Sequence, residues 1–128
     1  MNKLDKNSVI GISALLVHAA NIDEIYSVHE KDLIKDFIKS YLDDDANEIL
    51  KKAEEIEKNS NQLLNYTNII KKNSIDVKKD IIEHLWKVII SDNTVDQYES
   101  NLMRRICGLI YFPDKECAEI KLKLLNSK

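Results

Sequence analysis

Chain breakers are nearly missing from this sequence, which holds two glycines and one proline in 128 residues. So few of them favour long helices joined by short connections. No stretch alternates apolar and polar residues over a useful length, which excludes a sheet as the organising element. A basic excess is lacking as well: 19 Lys and Arg stand against 22 Asp and Glu, a net charge of −3, and the lysines are interleaved with acids. A phosphate-binding surface needs concentrated positive charge, so a nucleic-acid partner is not expected. Catalytic signatures are missing too. There is no glycine-rich phosphate loop and no Ser/His/Asp or Cys/His constellation, and His18, His29 and His84 share no metal-ligand spacing. His18 and His84 fall on apolar helices and read as hydrogen-bonded core or edge residues. The expectation is a protein that is not an enzyme. Cys107 and Cys117 form no CxxC pair and fit no zinc spacing. They read as free, mostly buried thiols of a reducing compartment, with a disulfide left open by sequence.

What is present is a balance of 44% apolar and 32% charged residues. That balance suits one ordinary globular domain, and the length is enough to bury a single core. Helical periodicity recurs along the whole chain. A first helix spans roughly 8–22 and is apolar on nearly every face (Val9, Ile10, Ile12, Leu15, Leu16, Val17), as a central buried helix is. A second, roughly 28–42, carries a one-sided stripe of Leu33, Ile34, Phe37, Ile38, Tyr41 and Leu42. Asp43-Asp44-Asp45 offers capping oxygens to a third helix whose apolar face is Ala46, Ile49, Leu50, Ala53 and Ile56. The segment from Asp43 to Glu57 is rich in acids and reads as a solvated face, or as a docking surface for a basic partner. A fourth helix covers roughly 62–72, closed by Lys71-Lys72-Asn73-Ser74; a fifth covers roughly 77–90, with Trp86 filling the core; a sixth covers roughly 97–111. Pro113 stops the sixth, and Asp114 is expected to cap a seventh.

The second and sixth helices repeat at a fixed offset of 69 residues. Leu33, Ile34, Phe37, Ile38, Tyr41 and Leu42 match Leu102, Met103, Ile106, Cys107, Ile110 and Tyr111, and the same offset pairs Leu16 with Leu85, Asp23 with Asp92 and Glu30 with Glu99. Each unit, roughly 8–42 and 77–111, exposes an apolar stripe that it cannot cover alone. Pseudo-twofold packing of the two is expected, with the third and fourth helices as linker and lid. The repeat also bears on the N-terminus. Lys3 and Lys6 before the apolar run Val9–Val17 outline a signal peptide. The run has a counterpart inside the chain and is too short to span a bilayer, so it is read as a structural helix.

The stretch Ile90-Ser91-Asp92-Asn93-Thr94-Val95-Asp96-Gln97-Tyr98-Glu99, followed by Leu102-Met103-Arg104-Arg105-Ile106 and preceded by Leu85-Trp86-Lys87-Val88, resembles the TerB (tellurite resistance protein B) family. The segment from Ala19 to Glu30 is a second copy of the pattern, and the resemblance covers roughly 8–123, closest to stand-alone TerB-like proteins of unassigned function. The family's glycine after the loop aspartate is Glu24 in one copy and Asn93 in the other. Asn tolerates positive φ better than Glu, which favours a different shape for the first loop. The resemblance implies an all-α, compact bundle of about seven helices with an internal pseudo-twofold duplication, forming a single domain over 1–128. It also implies a metal-binding, stress-response module linked to tellurite resistance, in the cytoplasm, with a protein partner at the inner membrane face. The chain offers no transmembrane segment, and its oligomeric state is not set by sequence.

The acidic loops carry the functional question. Asp92, Thr94, Asp96 and Glu99 place oxygens at positions one, three, five and eight, echoing the start of an EF-hand loop but without its glycine at six or its bidentate glutamate at twelve. If pseudo-symmetry brings both loops together, Asp23, Glu30, Asp92 and Glu99, with Asp96, form one acidic site for a hard divalent metal ion. Helix capping is the competing explanation. Ser27-Val28-His29-Glu30 and Asp96-Gln97-Tyr98-Glu99 are both capping boxes, each cap contributing roughly 1 kcal/mol. On that reading the chain is a helical scaffold or oligomerisation module with no ligand. An enzyme using paired carboxylates is a third reading.

Overall fold

The computed structural model describes residues 4–21, 27–59, 63–90 and 97–126, with side chains over 4–21, 27–59, 66–90 and 100–126. The described residues form seven helices: α1 (Lys6–Ala20), α2 (Val28–Tyr41), α3 (Ala46–Asn59), α4 (Leu63–Lys71), α5 (Ile75–Ile90), α6 (Gln97–Leu109) and α7 (Asp114–Asn126). No strand occurs among them, so the all-α bundle expected from the sequence is what the chain forms.

Helix α1 is the centre. Val9, Ile12, Leu15 and Leu16 are wholly removed from solvent, and α2, α3, α4 and α5 all pack against it. The helix with the N-terminal apolar run is therefore the middle of the core. Asp5 opens it, accepting the Ser8 backbone N–H at 2.7 Å. That bond holds the Asp5 carboxyl below its ordinary range. Gly11 lets α4 ride close over α1, since a β-carbon there would run into Ile69 Cδ1. Helices α3 and α4 are thus more than a lid: both lie directly on α1, and α3 turns its apolar face (Ala46, Ile49, Leu50, Ala53) inward. Ile56, grouped with that face by its spacing, is 40% exposed. Asp45 caps α3 as expected, accepting the Asn47 N–H at 3.0 Å.

The two sequence repeats share helix type but not packing partners. Among the described residues, α2 packs on α1, α3 and α5, whereas α6 rests on α4 and α7. Three boundaries differ from the sequence reading. Ser74 starts α5 rather than closing α4, its hydroxyl accepting the Val77 N–H at 3.3 Å. Helix α7 already includes Asp114, so Pro113 supplies the first accepting carbonyl, to Cys117 N at 3.1 Å. Helix α6 ends before Tyr111, in a left-handed cap. Phe112 N–H reaches back to the Cys107 carbonyl at 2.8 Å and Tyr111 N–H to that of Gly108 at 3.4 Å, with Tyr111 at φ 59°. This is a Schellman motif with tyrosine in the position that glycine usually takes. The ring is 69% exposed and sits under Lys71, whose Nζ lies 4.7 Å from its centroid.

A β-carbon in the left-handed region costs about 1–2 kcal/mol. Tyr111→Gly is therefore expected to be more stable than Tyr111→Ala by about 1 kcal/mol in urea unfolding, because both lose the Lys71 contact and only one loses the strain. Equal stabilities would contradict the left-handed cap.

Candidate functional site

The start of α2 is built as the sequence anticipated. Ser27 is extended (φ −82°, ψ 165°), and its hydroxyl oxygen accepts the Glu30 N–H at 3.1 Å. Glu30 Oε1 in return accepts the Ser27 N–H at 2.8 Å and the Ser27 hydroxyl at 3.1 Å. The capping box is complete, and Glu30 is buried to 6% exposure while His29 and Val28 beside it are exposed. Of the candidate ligands, Glu30 is the one whose side chain is described, and one of its oxygens already serves the helix start. Asp23, Asp92 and Asp96 lie outside the described residues, as does the side chain of Glu99 on α6. Among the described residues no group of three or more His, Cys, Asp or Glu is placed to hold a metal ion.

The relation of the two loops follows from how α2 meets α5. Tyr41 O–H, at the end of α2, donates to Asp80 Oδ2 near the start of α5 at 2.6 Å. One turn back along α2, the Phe37 ring lies edge-on to that of His84, one turn further along α5, with centroids 5.1 Å apart. The helices therefore run antiparallel, and each step toward the start of α2 is a step toward the end of α5. From Phe37 to Glu30 and from His84 to Ile90 both helices advance by roughly 10 Å. Ser27, where one acidic loop ends, and Ile90, where the other begins, consequently lie at the same end of the bundle.

His18 and His84 are held as structural groups. His84 Nδ1 donates to the Asp80 carbonyl oxygen at 2.9 Å and lies 3.6 Å from Asp80 Oδ1. His18 Nδ1 meets Glu57 Oε2 at 3.3 Å, and the Asn21 amide donates to Glu57 Oε1 at 3.2 Å. Part of the acidity of α3 is thus spent inside the molecule, and Asp44 is paired with Lys6 at 3.1 Å. Asp80, His84 and Tyr41 form a linked polar group that sequence reasoning missed. The Asp80–His84 spacing of four was readable, but Tyr41 is 39 residues from its partner. Burial, and then the hydrogen bond to Asp80, pushes the Tyr41 phenol well above its ordinary value.

The family model for tellurite resistance protein TerB matches residues 10–122 of the chain. No curated protein and no solved structure matches it. No described helix is long and apolar enough to cross a membrane.

Two outcomes follow from this geometry. Ser27→Ala is expected to cost about 1 kcal/mol in denaturant unfolding, whereas Glu30→Gln, which can still close a capping box, costs less than Glu30→Ala. The second concerns pH. The raised Tyr41 value means that the fold favours the neutral phenol; its contribution is fully present below pH 10, where an unfolded tyrosine ionises, and is lost as pH rises further. The melting temperature should fall on that alkaline limb, and Tyr41→Phe, though less stable at neutral pH, should show a shallower fall. Parallel limbs in the two proteins would refute the assignment.

Proposed function

Because this chain belongs to the tellurite resistance protein TerB family, we propose that it is a non-catalytic binding domain whose two acidic loops together take up a divalent cation. The observation that supports this most is the antiparallel pairing of α2 with α5, which brings the end of the first loop and the start of the second to one end of the bundle. Asp92, Asp96 and Glu99 supply the greater share of the ligands, because Asp92 and Asp96 retain EF-hand-like spacing and Asn93 tolerates the turn. Asp23 adds a carboxylate from the first loop. Glu30 holds the start of α2 in place and contributes charge to the site. Such oxygen donors suit magnesium, calcium or manganese better than thiophilic metals. The exposed Val28 and His29 beside the loops provide a surface for a protein partner at the same end. The family's name supports a role in resistance to tellurite and related chemical stress, and on this reading the protein works in the cytoplasm with a partner at the inner membrane face.

A ligand-free scaffold is the second reading, favoured by one specific observation: Glu30 Oε1 is engaged by the capping box. A thermal-shift and calorimetric titration with magnesium, calcium, manganese and zinc separates the two. Cation binding is expected to give saturable stabilisation of about 2.7 kcal/mol at a hundred times Kd, read as a rise of several degrees in Tm. Asp92→Asn combined with Asp96→Asn should abolish the shift, while Ser27→Ala should lower the starting Tm and leave the shift in place. No shift at millimolar concentration of any of these ions, or a shift indifferent to the double substitution, overturns the proposal. Sedimentation as an oligomer in the absence of ions would then support the scaffold.

A further inference from the structure

Cys107 and Cys117 are both free and buried, yet their surroundings differ. The left-handed corner at Tyr111 and the stop at Pro113 fold the start of α7 back onto the last turns of α6, so the two thiols meet. The two thiols are close enough to interact directly. The Trp86 indole N–H donates to Cys117 Sγ at 3.3 Å. Lys121, one turn further along α7, lays its Nζ 5.4 Å from the Trp86 ring centroid, close enough to add a favourable charge to that sulfur. These neighbours, the Cys107 thiol foremost, hold the Cys117 thiol below its ordinary value against the opposing effect of burial. Cys107, beside the Cys117 sulfur and buried, is pushed far above its own. An ordinary pair of core thiols is inert because burial disfavours both thiolates. Here the Trp86 N–H and the Lys121 charge favour a thiolate on Cys117, whereas burial disfavours one on Cys107.

Access matches this division. An open groove of about 530 Å3 runs between α5, α6 and α7, with Trp86, Met103, Arg104 and Lys121 in its walls. Cys117 lines that groove, at 6% exposure, whereas Cys107 is wholly buried and does not line it. Only a small reagent reaches a sulfur so placed.

We propose that Cys117 is a peroxide-reactive thiol and Cys107 its resolving partner, so that the protein takes up a two-electron oxidation as an intramolecular Cys107–Cys117 disulfide. The Cys117 thiolate attacks one oxygen of hydrogen peroxide. The O–O bond breaks, hydroxide departs and takes up the proton that Cys117 had released, and a sulfenic acid remains. Cys107 Sγ then attacks the Cys117 sulfur; the S–O bond breaks and the leaving hydroxyl takes the Cys107 proton as water. Two thiols are oxidised and one peroxide is reduced to two waters. The bond ties α6 to α7 across the corner and uses none of the acidic-loop residues.

The test treats the reduced full-length chain with hydrogen peroxide and follows free thiols, intact mass and fluorescence. Both thiols should disappear together, with loss of two hydrogens from the monomer mass. The emission of Trp86, the single tryptophan, should change in step as its sulfur partner changes. The oxidised protein should melt several degrees higher, as a closed loop raises stability. Cys107→Ser should stop at a sulfenic acid that dimedone traps on Cys117, formed at least about tenfold faster than any adduct on Cys107 in Cys117→Ser. Retention of both thiols in the unsubstituted protein, under peroxide that oxidises free cysteine, overturns the proposal. So does a first adduct on Cys107, or a disulfide that forms only between molecules.

Discussion

The rest of the molecule follows from a helix with no polar face. Helix α1 carries buried residues at Val9, Ile10, Gly11, Ile12, Ser13, Ala14, Leu15, Leu16 and Val17 in unbroken succession. No single neighbour can cover such a surface, so helices must approach from several directions at once. Four do, and α4 comes close enough that the Ile69 side chain lies where a β-carbon at position 11 would stand. Polar groups on α1 are then confined to its ends, where Asp5 caps the start and His18 and Asn21 converge on Glu57. Ser13 is the exception: its Oγ is buried with no partner among the described residues. An unsatisfied hydroxyl of this kind costs about 1–3 kcal/mol, a cost that the surrounding apolar packing must offset.

Once α1 is enclosed, α2 and α5 are brought against each other, and the polar residues between them fix their register. Tyr41 on Asp80 and Phe37 against His84 each join residues far apart in sequence. A slide of one helix by a turn would part both pairs and leave the half-buried Tyr41 phenol without its partner. That register is also what relates the acidic loops, because it sets Ser27 level with Ile90. Which end of the bundle carries Ser27 and Ile90 is therefore decided by contacts at the middle and far end of the helices. Glu30 is committed to the fold: one of its carboxylate oxygens closes the capping box and holds the helix start in place.

The helices were legible because their apolar stripes have a period that no other structure shares, and the Ser27–Glu30 box was legible because it is local. What was not legible is equally physical. Ser74 follows two lysines and an asparagine, a closing signature, and its role as the first cap of α5 depends on which chain direction its hydroxyl serves. Ile110, Tyr111 and Phe112 continue the apolar pattern of α6 with no glycine to mark the turn, so its end appeared later than it is. Helices α3 and α4 lie outside the repeat, and only the all-round burial of α1 explains why they are central. The juxtaposition of the two loop ends depended on a helix register that no local pattern encodes.

The two copies of the repeat share their sequence pattern but not their exits. Leu42 and Tyr111 are equivalent in the duplication, yet the first leaves its helix extended, at φ −129° and ψ 148°, and the second leaves in the left-handed region. The extended exit leads on to α3 and hence to a cover for α1. The left-handed exit reverses the chain at once and lays α7 beside α5. Ile38, wholly buried in the first copy, is accordingly matched by Cys107, whose sulfur meets a second thiol that the reversal brings back. Two copies that match in sequence thus leave their second helices differently. The loop carboxylates come in pairs as a feature of the sequence repeat. Features that depend on the exits, the strained Tyr111 corner and the thiol pair beside Trp86, occur once.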